Sequence, residues 1–328
     1  MLAEVGSSKS DIGFCNLLLQ PIFLAGPTGV GKSALAVELA REVKGEIIGA
    51  DALQVYSGLS ILTAQPEQKL LEQIPHHLIG HIPAEENYHV WRYRLEACRE
   101  IGNILRRGRI PIVVGGAGLY FRALIQGLDP LPASNLSLRR ELEQLSLEKL
   151  LERLDRVDPH AGNKVDIRNR RRVLRAVEIC ELSGKPLGVF RTNSRQIIST
   201  QAQAFVLVRA REELYGRIVH RVCQMWERGV VGEVAGMRNR MGRTASQAIG
   251  LREIVACIDG EMNERQCRDA ICAATYRYAK RQLAWFRSRT DFVPLYLSQG
   301  SSSSARDMVE MIARKVKEYL ELGLRRPS

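Results

Sequence analysis

The segment GPTGVGKS, residues 26–33, is the part of the chain whose residue types most directly suggest chemistry. It fits the pattern G-x-x-x-x-G-K-[ST], in which backbone N–H groups and the lysine surround phosphate oxygens and the hydroxyl holds Mg²⁺. Lys32 is therefore expected to bridge phosphate oxygens, and Ser33 is the expected Mg²⁺ ligand. The residues predicted to bind a diphosphate are Gly26, Thr28, Gly29, Gly31, Lys32 and Ser33.

A single acidic residue, Asp51, directly follows a predicted strand. Motor proteins and GTPases hold their metal ion with an aspartate at the end of another strand of the sheet. The predicted strand at 110–114 instead runs into glycines, and the one at 205–208 runs into Arg209. The pattern therefore argues against a motor, and it leaves Asp51 as a metal ligand, an N-cap or a general base.

Short apolar runs that alternate with helical segments predict the framework that positions these residues. The candidate strands are 22–25, 46–49, 110–114 and 205–208, and the helices between them include 33–43 and 89–107. This alternation is typical of a parallel sheet covered on both faces. We therefore predict an α/β fold with a phosphate-loop, parallel-sheet core.

The strand pattern disappears between about residues 130 and 195, where charged helices are predicted at 135–156 and 166–183. A helical block between strands of one sheet indicates an inserted all-helical subdomain. The predicted organisation is a flexible tail (1–20), a core (21–130 and 196–297), the insert (131–195), and a linker with a C-terminal helix (298–328, helical at 306–322).

Basic residues outnumber acidic ones by 48 to 36, which gives a formal net charge of +12. Arginines crowd two places, the insert around residues 168–175 and the segment 277–287, where aromatic residues are interleaved. Such clusters are typical either of a solvated helix face or of contacts with a nucleic-acid backbone. Their density on a basic chain favours a polyanionic partner.

Several classes of protein are disfavoured by the composition. The seven cysteines are scattered without a C-x-x-C pair, and the six histidines show no spacing typical of a metal site. No apolar run reaches the 18 residues of a membrane span, and the N-terminus lacks the pattern of a signal peptide. We expect a cytoplasmic monomer with reduced thiols and no membrane partner.

Seven motifs, in order from Ile22 to Arg289, resemble those of the bacterial-type tRNA dimethylallyltransferases, a family of P-loop prenyltransferases. They are GPTGVGKS (26–33), ADALQVY (50–56), PHHLI (75–79), RIPIVVGGAGLYFRAL (109–124), RRVLRAVEI with SGKP (171–186), AIGLRE (248–253) and YAKRQLAWFR (278–287). The phosphate loop alone would be weak evidence for this family, whereas the ordered set is specific.

The resemblance implies a reaction. The loop would hold the diphosphate of dimethylallyl diphosphate, with Lys32 as a catalytic residue and Mg²⁺ on Ser33. The exocyclic amine (N6) of the adenine just 3′ of the tRNA anticodon would attack the allylic carbon. Asp51 matches the family's general base. The adenine would have to be flipped out of its stack to reach a buried site.

The resemblance also implies the tRNA-contacting positions. They are Asp51, Ala52, Leu53, Gln54, Ala117, Arg139, Arg171, Arg172, Arg175, Gln247 and Arg252, and the basic segment 277–287 adds Arg277 and Arg281 as candidate contacts. The chain departs from the family pattern at Ala52 (usually serine), Ala117 (usually threonine), Gln65 (usually lysine) and Leu251 (usually tyrosine). Asp51, Lys32 and Ser33 remain, which favours an active enzyme, and the departures leave reduced activity or altered substrate choice as an alternative.

Three other functions remain open from the sequence. An adenylate isopentenyltransferase would act on free nucleotide, but it would not need two arginine-rich surfaces. A small-molecule P-loop kinase is disfavoured by the place of Asp51 and by the charge. A catalytically weak RNA-binding relative is suggested by Ala52 and Ala117.

Overall fold

The protein is built on one parallel sheet of six strands, in the order β3-β2-β4-β1-β5-β6. The computed structural model describes residues 20–163, 165–190, 204–289, 291–297, 306–315 and 318. The strands are β1 (Ile22–Ala25), β2 (Gly45–Ala50), β3 (His76–His77), β4 (Ile110–Gly115), β5 (Ala204–Arg209) and β6 (Val293–Leu297). The α/β prediction is confirmed.

Four of these strands match the predicted apolar runs, and two were missed. β3 has only two residues, so it carries no recognisable alternation. β6 contains Pro294, and three of its five residues are exposed, as befits an edge strand paired on one side only with β5. The two missed strands are the edge strands of the sheet, which are less buried and therefore have the weakest apolar pattern in the sequence.

Helices connect the strands. They are α1 (Lys32–Glu42), α2 (Gln68–Leu71), α3 (Val90–Arg106), α4 (Gly118–Ile125), α5 (Leu136–Glu143), α6 (Leu147–Val157), α7 (Arg170–Ser183), α8 (Arg211–Glu227), α9 (Val230–Met237), α10 (Leu251–Ile258) and α11 (Glu264–Arg287). Residues 306–315 are also helical. In the described part of the chain, no helix is long and apolar enough to cross a membrane.

Successive residues of β1 bury their side chains in different apolar clusters, because side chains alternate between the faces of a sheet. Phe23 and Ala25 belong to the cluster on one face, and Ile22 and Leu24 to the cluster on the other. β1 pairs with both β4 and β5, so it lies inside the sheet and all four side chains are fully buried. The loop that follows β1 therefore starts from a rigid base.

The chain divides into two compact units, Met1–Ile125 with Ile198–Ser328, and Gln126–Ile197. The second unit has its own apolar core, which includes Leu142, Leu154 and Val177. The predicted helix 135–156 is two helices, because Ser146 caps a new start by accepting a 3.3 Å bond from the Lys149 N–H. The helix predicted from residue 166 begins at Arg170, after the N-cap Asn169.

Some sequence predictions concern residues outside the described part of the chain. They include the N-terminal tail up to residue 19, the linker at 298–305 and the C-terminal helix beyond residue 318.

Candidate active site

The phosphate loop joins β1 to α1 as the sequence predicts, and two of its glycines hold conformations that other residues rarely adopt. Gly29 has a φ of 80° and Gly31 a φ of 106°. Gly31 immediately precedes α1, so the N–H groups that open this helix face the loop. A helix start of this kind is a favourable place for a phosphate.

Lys32 lies in this loop, where its ammonium donates a 2.7 Å hydrogen bond to the carbonyl of Pro27. Burial lowers the pKa of Lys32 to about 7, the negative charge of Asp51 opposes that effect, and the charge of Arg221 adds to it. The lysine is thus held in a place that disfavours its charge. A bound anion such as a diphosphate would favour the charged form of the lysine.

Three arginines, far away in sequence, surround the outside of the loop. Arg209 at the end of β5 donates from Nε to Val30 O at 2.8 Å, and Arg217 in α8 donates from Nε to Gly29 O at 2.8 Å. Arg221, one turn further along α8, donates from Nη1 to Thr28 Oγ1 at 2.7 Å. Arg217 and Arg221 form no salt bridge with any described residue, so their charge is available to a ligand.

The sequence analysis missed these arginines as site residues. Arg217 and Arg221 lie on a helix whose charges resemble an ordinary solvated face, and nothing local marks them. The signal that could have found them is their spacing of four residues on a helix that follows a strand of the same sheet. With Lys32 they line a cleft of ≈ 850 Å³ that also includes Ser33 and Asp51.

Gln282 of α11, a further residue that sequence reasoning missed, connects the loop to the end of β4. Its Oε1 accepts a 2.9 Å bond from the Thr28 N–H, and its Nε2 donates a 3.0 Å bond to Gly116 O. A Cβ added to Gly116 would lie 2.1 Å from Nε2 of Gln282. The glycine run after β4 is therefore required by the close approach of α11.

Asp51 follows β2, and its carboxylate shapes the turn that comes next. Oδ1 accepts bonds from the N–H groups of Leu53 (2.9 Å) and Gln54 (3.4 Å). Oδ2 has no hydrogen-bond partner in the described structure. The turn thus fixes the direction of the carboxylate and leaves one oxygen free.

A second, narrow pocket of ≈ 60 Å³ adjoins the cleft. The two share Thr28, Asp51, Gln54 and Arg221. The apolar side chains that line the narrow pocket are Leu53, Leu62, Ile218, Val222, Met225, Ala248, Ile249 and Ile271. Tyr278 also lines it; burial and the charge of Asp51 raise the pKa of its hydroxyl, so this group stays protonated. Asp51 therefore stands where the cleft beside the loop meets the narrow pocket.

The predicted RNA-contacting arginines of the second unit fall into two groups. Arg139 and Arg175 face the buried carboxylate of Glu178, with N–O distances of 3.7 and 2.7 Å. Arg171 and Arg172 are exposed, and Arg172 makes only a long contact of 3.8 Å with Asp166. The first pair has a structural role inside its own unit, whereas Arg172 can reach a ligand.

The other predicted contacts lie in the first unit. Gln247, Arg252, Arg277 and Arg281 are all exposed, and Arg281 lies over the ring of Tyr278 at 5.7 Å. The backbone N–H of Ala117 donates to Ala50 O at 3.1 Å, which places it beside the end of β2. Ala52 and Leu53 are partly buried against the core.

Two family models match the sequence. "IPP transferase" matches residues 54–289, and "Isopentenyl transferase" matches residues 20–81. The chain is 39% identical over 301 residues to "tRNA dimethylallyltransferase 1" of Citrifermentans bemidjiense, covering 90% of this chain and 98% of that one. It is 38% identical over 295 residues to the tRNA dimethylallyltransferase of Akkermansia muciniphila, covering 90% and 99%.

Solved structures agree with these relationships. The full-length tRNA isopentenylpyrophosphate transferase from Bacillus halodurans matches with a TM-score of 0.68 and 32% identity over 92% of this chain and 98% of that one. A eukaryotic dimethylallyltransferase, solved as it acts on tRNA, matches with a TM-score of 0.76 and 26% identity, covering 94% and 87%. The family model spans well over half of the sequence, and the chain belongs to the IPP transferase family.

Proposed function

We propose that this protein transfers the dimethylallyl group of dimethylallyl diphosphate to N6 of the adenine 3′-adjacent to a tRNA anticodon. The observation that carries the proposal is the position of Asp51, where the phosphate-loop cleft and the narrow apolar pocket meet. Prenyl transfer needs these three parts together: an anion site, an apolar site and a base. The relatives named for this activity support the choice of substrates.

The phosphate loop and its cations would bind the diphosphate. The loop N–H groups, Lys32 and the arginines of α8 are arranged before any ligand arrives. As the allylic C–O bond breaks, negative charge grows on the departing diphosphate, and fixed cations stabilise it without further rearrangement. The dimethylallyl chain would lie in the narrow apolar pocket.

Asp51 would remove the proton from the attacking amine. An aromatic amine is a weak nucleophile, and proton removal during bond formation makes it a better one. The N6–C bond forms as the C–O bond breaks, the diphosphate leaves with the bonding electron pair, and the N6 proton moves to Oδ2 of Asp51. Oδ1 is already engaged by two backbone N–H groups, so it holds the carboxylate in place.

The residues at the start of α1 fit Mg²⁺. Ser33 lines the cleft with Asp51, and its hydroxyl has no hydrogen-bond partner in the described structure. No group of three or more His, Cys, Asp or Glu side chains among the described residues could hold a metal. This donor set suits Mg²⁺, which is commonly held by one or two protein oxygens and substrate phosphates. When bound, the ion would neutralise diphosphate charge.

The tRNA would bind through exposed cations, and its target adenine would be flipped toward Asp51. Arg172, Arg252, Arg277 and Arg281 are exposed and suitably charged. The net charge of +12 fits a polyanionic partner.

Product analysis tests the proposal. The protein, an anticodon stem-loop RNA and dimethylallyl diphosphate labelled in the prenyl group are incubated with Mg²⁺, and the RNA is digested to nucleosides. We expect label in N6-modified adenosine from the position 3′ of the anticodon. A parallel reaction with adenosine monophosphate tests the free-nucleotide alternative.

Lys32→Ala is the matched control. It should abolish transfer and leave stem-loop affinity nearly unchanged, because the loop binds the donor and not the RNA. Label in the monophosphate and none in the RNA would assign the protein to free nucleotides. RNA binding without label in either acceptor would leave an RNA-binding protein without this activity.

A further inference from the structure

Glu233 of α9 makes contacts that no part of the proposed reaction explains. Its carboxylate accepts hydrogen bonds from the Leu62 N–H at 2.7 Å, the Ile61 N–H at 2.9 Å and the Ser60 hydroxyl at 3.3 Å. These residues are more than 170 positions away in sequence. Glu233 thus connects α9 to the loop that follows the Asp51 turn.

The loop at 57–65 has turn bonds of its own, such as Thr63 N–H to Leu59 O at 3.0 Å, and α9 supports it from a distant part of the chain. It contains only turns, and Ala64 has a φ of 46°, which is unusual for a residue with a side chain. Gly58 packs against Met237, the last residue of α9, where an added Cβ would lie 3.2 Å from Met237 Cε. The shape of this loop therefore depends in part on α9.

The same loop forms part of the site. Leu62 and Thr63 line the narrow apolar pocket. The Gln54 side chain donates from Nε2 to Ala64 O at 2.8 Å, and the Gln65 side chain donates from Nε2 to Gln54 O at 2.9 Å. A shift at residues 60–62 would therefore move the wall of the pocket and disturb the turn that begins at Asp51.

We propose that Glu233 is a positioning residue that sets the wall of the narrow pocket and thereby selects a short prenyl chain. The inference rests on the proposed function. α9 is a rigid support, because Val230 and Val234 are fully buried in the core. Glu233 satisfies two backbone N–H groups from that support and holds Leu62 inward. Without its charge these N–H groups keep only a neutral acceptor, which holds them more weakly. The wall then recedes, and longer chains fit.

Donor selectivity measures this role. We would compare kcat/KM for dimethylallyl (C5) and geranyl (C10) diphosphate with the stem-loop RNA, in the wild type and in Glu233→Gln. Glutamine keeps the size of the side chain and one accepting oxygen, but it removes the charge and replaces the other oxygen with an NH₂ group. The C5-to-C10 ratio should fall about tenfold, the scale on which a hydrophobic pocket discriminates by chain size.

Two variants complete the test. Glu227→Gln changes an exposed acid at the end of α8, outside the site, and should leave the ratio unchanged. Leu62→Ala opens the pocket wall without touching Glu233, and it should lower the ratio as Glu233→Gln does. Thermal unfolding of each variant identifies any that fails to fold. If Glu233→Gln does not fold, Ser60→Ala removes one of the three contacts and should lower the ratio in the same direction by a smaller factor.

The outcomes separate this inference from the proposed function. If Leu62→Ala lowers the ratio and Glu233→Gln slows both donors equally, Glu233 is only structural and the inference is wrong. If neither variant changes the ratio, the narrow pocket does not hold the prenyl chain and the inference is also wrong. Wild-type protein that prenylates no RNA would instead overturn the proposed function.

Discussion

Two acids, one in each compact unit, show how differently this protein uses a carboxylate. Glu178 of α7 is fully buried and both of its oxygens are engaged: Oε1 accepts from the Ser134 hydroxyl and the Asn135 N–H, and Oε2 from Arg175. Asp51 is partly exposed, lines two pockets and keeps Oδ2 free. The first acid is a structural anchor, and the second is placed to react.

The cations differ in the same way. Arg139 and Arg175 face Glu178 within their own unit, so their charge is compensated. Arg217 and Arg221 instead donate to neutral oxygens of the phosphate loop, and neither forms a salt bridge with a described residue. A cluster of arginines in the sequence therefore does not indicate their role by itself. The role depends on the partners in the folded chain, because a paired arginine stabilises the fold and an unpaired one can bind an anion.

The largest expected effect follows from the free oxygen of Asp51. Asp51→Asn should slow transfer by about 10²–10⁴-fold, the usual contribution of a positioned base. Its amide oxygen can still accept the turn bonds, so thermal stability and the binding of both substrates should change little. Single-turnover rates with bound RNA check this. A variant that lost stability and not rate would place Asp51 with Glu178 among the structural acids.

Arg175→Ala should lower the stability of the protein and leave the chemical rate unchanged. The change removes the 2.7 Å bond to Glu178 and a 2.6 Å bond to Pro132 O. Because Glu178 would stay buried with less compensation, we expect a loss of about 1–3 kcal/mol in the free energy of unfolding. The chemical rate on bound RNA should not change. Denaturant unfolding measures the free energy of unfolding, and the control is Arg172→Ala at an exposed position.

The contact between Arg175 and Glu178 also makes the stability of the protein depend on pH. Burial alone would raise the pKa of Glu178, but the bonds from Ser134 and Arg175 and the charges of Arg175 and Arg139 outweigh it, so this pKa lies below its ordinary value. The resulting stability is present above the pKa of the unfolded state and is lost as pH falls through the lowered pKa. In Arg175→Ala the loss on acidification should begin at a higher pH. Unfolding curves between pH 3 and 7 (about the range of carboxyl titration) would show it.

Lys32 should make the affinity of the first unit for the donor depend on pH. Its pKa of about 7 means that the free enzyme loses the ammonium charge as pH rises through neutrality. Because a bound diphosphate favours the charged form, affinity for the donor should fall above pH 7, by at most about tenfold per pH unit. Calorimetric titrations at several pH values measure this. Lys32→Met should remove the dependence and leave only the titration of the diphosphate itself.

The smallest effect concerns exposed arginines of the second unit. Arg168 and Arg172 are exposed, and the Arg168 side chain has no partner in the described structure. Changing each to Ala should lower the log–log slope of RNA affinity against salt by about 0.7–0.9 per lost phosphate contact. The same measurement on Arg175→Ala should show no change of slope. Equal slopes for all three variants would break the distinction between the two kinds of arginine.

The sequence predicted the parts of the site that local pattern encodes. Lys32 and Ser33 close the glycine-rich loop between β1 and α1, Asp51 directly follows β2, and the glycine pattern or the strand end marks them. The four interior strands were also recognisable from short apolar runs, because burial on both faces leaves a continuous signal. The edge strands β3 and β6 carry little of that signal.

The rest of the site comes from distant segments. Gln282 contacts Thr28 across 254 positions, and Arg221 contacts it across 193. On their own helices these residues resemble polar surface, and only the folded chain turns them toward the loop. For the same reason, Arg172 and Arg175 are equal candidates for RNA contact in the sequence, whereas the packing around Glu178 separates them.

A magnesium titration of Asp51→Asn under single-turnover conditions tests the central claim, that the free oxygen of Asp51 acts as the base, most directly. With saturating stem-loop RNA and dimethylallyl diphosphate, the variant should remain slow at every Mg²⁺ concentration, because an ion does not replace a missing proton acceptor. Recovery of nearly the wild-type rate at high Mg²⁺ would contradict the claim and make Asp51 a metal ligand.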